Sequence, residues 1–122
     1  MKANVWYWKG EYMKDMLMGW AWMEEHSGRM TERTIKTKTH VQLTTIEVPE
    51  GVQHSTISVL EYLFLAMQGE NWSPNGEASE LIRSKDLTHT SMSVGDVVEV
   101  GSKLYAVDLV GWVDVASGAI VG

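Results

Sequence analysis

Apolar and polar positions alternate from the start of the chain: Ala3, Val5 and Tyr7 fall on one side and Asn4, Trp6 and Trp8 on the other, which predicts a strand over residues 3 to 8. Both sides are bulky. Met13, Met16, Leu17, Trp20 and Met23 then recur at helical spacing, and Gly28 stands where a helix would end, so a helix is predicted over residues 12 to 25. The same stretch also satisfies alternation, as Met16-Met18-Trp20-Trp22, and Gly19 costs a helix about 1 kcal/mol relative to alanine, so the pattern alone leaves strand open there. From Thr34 to Val48 the alternation is that of a strand, with Ile35, Thr37, Thr39, Val41 and Leu43 on one parity and Lys36, Lys38, His40 and Gln42 on the other. Its phase slips at Ile46 and Val48, which predicts a bulge near Thr44-Thr45.

Pro49-Glu50-Gly51 closes that element as a turn, and Ser58-Val59-Leu60-Glu61 matches a capping box that starts a helix running to about Gln68. Leu60, Leu63, Phe64 and Met67 form its apolar stripe, and Gly69 suits its end. Asn71, Ser73, Pro74, Asn75 and Gly76 mark residues 70 to 90 as a turn-rich, mobile loop with a short helical turn at 78 to 82. Val94, Val97, Val98 and Val100 predict a strand, Gly101-Ser102-Lys103 a turn, Leu104 to Val107 its antiparallel return, and Trp112 to Val115 a last strand. The expected architecture is a small single α+β domain over residues 1 to 122, with a curved antiparallel sheet and two helices packed on one face.

Composition and charge narrow the chemistry. No apolar window is long enough to span a bilayer, and the amino terminus lacks a leader pattern, so a cytoplasmic protein with no membrane role is expected. The absence of cysteine removes disulfides, thiolate metal sites and thiol catalysis. A net charge of −6 disfavours nucleic acid as a partner for the whole chain, since counterion release needs basic surface. One basic cluster remains at Arg29, Arg33, Lys36 and Lys38.

His89, Ser91, Ser93 and Asp96 hold the residue types of a nucleophile, base and orienter, but a contiguous run entering a strand reads as turn chemistry, with hydroxyls and a carboxylate bonding local N–H groups. His26, His40, His54 and His89 have no metal-ligand spacing, and no cofactor is expected. Trp6 and Trp8, with Lys36 and Lys38, are the candidates for single-stranded nucleic-acid stacking, against core packing as the alternative. If Trp6 and Trp8 turn inward, Tyr7 turns outward with its strand face. Of the eight methionines, Met13, Met16, Met18, Met23 and Met30 crowd one segment, and with Trp22 off the main stripe the helix carries more apolar surface than one face can bury. Met16, Met18, Trp22 and Tyr7 are therefore the candidate partner-binding residues.

The carboxy-terminal third adds a resemblance. Ser91-Met92-Ser93-Val94-Gly95-Asp96-Val97-Val98, preceded by His89 with Thr90 as an extra residue, resembles a His-Ser-Leu-Ser-Val-Ser-Asp-Val-Val segment of the YodL-like family. Tyr105-Ala106-Val107-Asp108-Leu109-Val110-Gly111-Trp112 resembles that family's Tyr-Tyr-Val-Asp-Ser-Phe-Gly-Phe segment, and the helix from Leu60 toward Asn71 matches a family helix in position. The resemblance implies a small domain of bacterial, phage and mobile-element proteins, and no particular reaction. The expected role is that of a non-catalytic accessory protein that binds a host protein or a second copy of itself. Single-stranded nucleic-acid binding is the alternative.

Overall fold

The computed structural model describes residues 1–72 and 75–121; Ser73 and Pro74, part of the predicted loop, lie outside them. β1 (Lys2–Trp8) leads through a 3-10 turn into α1 (Met13–Leu17) and α2 (Trp20–Ser27), and α3 (Glu32–Thr34) runs on into a π-helical turn over Ile35–Thr39 before β2 (His40–Glu47). α4 (Thr56–Ala66) and α5 (Ser79–Ser84) follow, then β3 (Val97–Val100), β4 (Lys103–Val107), β5 (Trp112–Asp114) and β6 (Ile120–Val121). The strands form one curved, open sheet in the order β2-β1-β3-β4-β5-β6, antiparallel throughout.

The α+β class and the sheet are as the pattern predicts. The two predicted helices, however, lie on opposite faces rather than on one. Ala3, Val5, Tyr7, Val98, Tyr105, Val107 and Trp112 point to the face covered by α4 and α5, whereas Trp8, Val97, Leu104, Ala106 and Val113 point to the face covered by α1, α2 and the Met30–Ile35 segment. The reason is visible in the strands: β1, β3 and β4 are apolar on both parities, so each face needs a cover.

Between residues 12 and 25 the helical reading holds, but the helix breaks. Gly19 takes φ +103 between α1 and α2, where Leu109 lies so close that a Cβ would meet its Cδ1 at 2.9 Å. Met16, Trp20 and Met23 are the positions that face the sheet. Residues 34 to 39 are helical rather than extended, because Thr31 caps α3 by accepting the Thr34 N–H at 3.1 Å, a start signal that Thr/Lys alternation obscures. The phase slip in β2 is a bulge: Val5 opposes Thr44 and Trp6 opposes Gln42, so Leu43 is the extra residue and the apolar parity changes there. α4 begins one turn earlier than the capping box suggests, since Ser55 is the residue that accepts from the Ser58 N–H.

Candidate functional site

The densest group of buried polar side chains lies where β1 and β2 meet the strap of residues 88 to 96 that leads into β3. His89 stacks on Trp8 at 3.8 Å and on Tyr7 at 4.4 Å. Its Nε2 lies 2.9 Å from Oδ1 and 2.8 Å from Oδ2 of Asp96, whose side chain is wholly buried. That carboxylate also accepts the Trp8 N–H at 3.1 Å and the Ser93 N–H at 2.8 Å. Burial pushes the Asp96 carboxyl above the ordinary carboxylate range, while the His89 bond and the two backbone N–H groups pull it back.

His40 completes the group. Its Nε2–H donates to the Gly95 carbonyl at 2.7 Å and its Nδ1 accepts the Thr39 hydroxyl at 2.7 Å, which fixes the neutral tautomer. Burial accordingly holds its pKa down at about 4. The Tyr7 hydroxyl donates to the Thr90 carbonyl at 2.9 Å, and burial raises it far above the usual phenol.

This arrangement braces the strap, tying it to β1 and β2. The other nitrogen of His89, Nδ1, is buried without a hydrogen-bond partner. Ser91 donates to the Trp72 carbonyl and Ser93 serves Asp96, so neither hydroxyl is set against the imidazole. Turn chemistry accounts for the run, with one addition that the sequence does not disclose: Asp96 also ties β1 through Trp8.

The candidate binding residues separate sharply. Tyr7 and Met16 are buried in the two cores and offer no surface, a correction that follows from the sheet being covered on both faces. Trp22 is half-buried and stacks on His26 at 4.0 Å. Met18 is 52 % exposed, as expected. On the aromatic strand Trp8 is buried and donates to the Val94 carbonyl at 2.9 Å, so it is not open to a base. Trp6 is half-buried, with the Lys36 ammonium 5.8 Å from its ring centroid. Lys36 itself pairs with Glu99 at 2.6 Å and with Glu32 at 3.2 Å, which spends its charge inside the molecule and raises its pKa, chiefly through the Glu99 hydrogen bond. Of that set only Lys38 is exposed. The four do not make a stacking platform.

What the surface does carry is an apolar rim at one end of the α1–α2 face. Leu109 and Val110, in the turn between β4 and β5, are 64 % and 87 % exposed. Leu109 lies over Gly19, the residue that follows Met18 in the chain, and Asp108 fixes this junction by accepting the Trp20 N–H at 3.0 Å. Leu17, also exposed, extends the rim along α1. Leu109 and Val110 were absent from the sequence-derived candidates, although two adjacent large apolar residues in a turn carry the signal, because turns are normally polar.

The fold and these surfaces define a small α+β domain whose single antiparallel sheet is packed on both sides. Compared with protein-family models, with curated proteins and with solved structures, the chain has no match. Among the described residues no group of three His, Asp or Glu side chains converges to hold a metal, and no helix is long and apolar enough to cross a membrane.

Proposed function

We propose that the chain is a protein-binding domain whose docking surface is the rim of Leu17, Met18, Leu109 and Val110. The observation that carries this is the exposure of large apolar side chains on two elements, α1 and the β4–β5 turn, that meet where Leu109 lies against Gly19, the residue after Met18. Methionine and leucine at such a rim give an adaptable surface for an apolar partner face. An accessory role in a phage or other mobile element is the setting that the YodL-like segments support, and the partner is a host protein or a second copy of the chain. No observation favours nucleic acid, since Trp8 is buried and Lys36 is paired.

Light scattering on the purified chain, beside Met18→Glu and Val110→Glu, tests the self-association form. A dimer in the parent that both charges dissociate supports it. A photo-crosslinking side chain placed at position 18 or 110 in cells tests the host form. A monomeric parent together with no protein adduct at either position rejects the proposal.

A further inference from the structure

We propose that the outer edge of β2 is a self-association surface, on which the same edge of a second copy of the chain pairs antiparallel about a two-fold axis. β2 ends the sheet, and among the described residues no strand lies beyond it. Two hydrogen bonds fix which way its main chain points: the Val48 N–H donates to the Met1 carbonyl at 2.7 Å and the Lys9 N–H to the Thr39 carbonyl at 2.9 Å, one at each end of the β1–β2 register. Hydrogen-bonded and open pairs alternate along an antiparallel ladder, so Val41, Thr44 and Ile46 turn their N–H and C=O groups to β1, and His40, Gln42, Thr45 and Glu47 turn theirs outward. The His40 N–H is taken by the Ile35 carbonyl, which leaves its carbonyl on the edge. The bulge at Leu43 keeps the outward row even, because β1 pairs across it as a regular strand. Edge strands that stay single are usually guarded by lysine or proline, and residues 40 to 47 contain neither.

The occupant is a second copy because this one edge carries both halves of the match. Centred between Leu43 and Thr44, the register sets Gln42 opposite Thr45 of the second copy and His40 opposite its Glu47, so outward-facing groups meet outward-facing groups throughout. Val41 then falls opposite Ile46 of the second copy, twice in the dimer. Both residues are half-buried at the margin of the core under α4 and lie on the same side of the sheet, so pairing covers the apolar surface that each leaves open. Charge gives the same direction. Lys38 is exposed just before the strand and Glu47 and Glu50 are exposed at its end, so antiparallel pairing brings basic end to acidic end twice, whereas parallel pairing sets like charge beside like. No residue of this register belongs to the Met18 rim, and β1 and β3 stand between β2 and the β4–β5 hairpin, so the dimer leaves the rim free and stands independently of it.

The chain has no cysteine, so an equimolar mixture of Gln42→Cys and Thr45→Cys reports the register under mild oxidation. The expected product is a dimer cross-linked from position 42 to position 45, located by peptide mass spectrometry and formed faster in the mixture than in either variant alone. Thr45→Pro removes an outward N–H and no bond to β1, so it is expected to keep the fold, which circular dichroism checks. It should weaken the dimer by about thirtyfold or more, read by light scattering across a concentration series, because the two-fold axis loses two hydrogen bonds. Met18→Glu should leave this dimer intact. A monomeric parent, a cross-link no faster in the mixture than in the single variants, or a dimer that Thr45→Pro leaves unchanged overturns the proposal. A dimer dissociated by Met18→Glu and not by Thr45→Pro assigns self-association to the rim and overturns it as well. Should Thr45→Pro not fold, the cross-link decides.

Discussion

Replacing Asp96 by Asn keeps the side chain's shape and changes only what its two ends can accept. In the parent, Oδ1 takes the Trp8 N–H at 3.1 Å and Oδ2 takes the Ser93 N–H at 2.8 Å, while His89 Nε2 sits within 2.9 Å of both. An amide has one oxygen and one NH2. Whichever way it turns, its NH2 meets a backbone donor, and either Trp8 or Ser93 is left with an unpaired N–H. His89 can accept from the NH2 only by moving its proton to Nδ1, which is buried without a partner, so the orphaned backbone group sets a lower bound on the cost, about 1 to 3 kcal/mol. Relief from burying a charge acts in the opposite direction, because burial is the largest influence on Asp96. Asp96→Ala removes every acceptor and opens a void, with an expected loss of about 3 to 5 kcal/mol. Urea unfolding at neutral pH, followed by tryptophan emission and circular dichroism, measures both. An Asn variant within about 0.5 kcal/mol of the parent would refute the reasoning, since it would show that desolvation of the charge cancels the hydrogen bonds it receives.

Two further outcomes follow from neighbouring residues. His40 has a pKa held down at about 4 against an ordinary 6.5, so the unfolded chain binds a proton that the folded chain refuses as the pH falls through that window. Its contribution is complete above the ordinary value and shrinks toward the lower one, by about 3 kcal/mol in all. Asp96, pushed upward, runs the other way, so the quantity to follow is the difference in urea midpoint between parent and His40→Gln: the parent should lose ground on acidification, and parallel curves refute the assignment. Gly95→Ala should destabilise by at least about 1 to 3 kcal/mol, because Gly95 has φ +92 and an added Cβ would lie 2.7 Å from the Met16 Cβ; a thermal midpoint equal to the parent's would contradict the close packing of α1 on the strap.

The strands with period-two patterning were legible from sequence, since alternation, β-branching and the Gly101-Ser102 turn act over a few residues and agree with one another. The bulge in β2 was legible for the same reason, as a break in parity. Residues 34 to 39 were misread because Thr-Lys alternation mimics a strand, while the capping threonine three positions earlier decides for helix. β6 was not read at all: Ile120–Val121 is too short to show a period, and it exists only because β5 offers a free edge.

The sequence by itself determined the class of the domain, the order of most elements and the surplus of apolar residues around Met13 to Met30. Only the tertiary structure decided where that surplus goes. Alternation states that a strand has two sides but not what covers each. The burial of Tyr7, Trp8 and Met16 and the exposure of Met18, Leu109 and Val110 were therefore settled when helices packed on both faces of the sheet. The pairing of Asp96 with Trp8 spans 88 residues of chain, and no local pattern encodes a contact between groups that meet only after the sheet has formed.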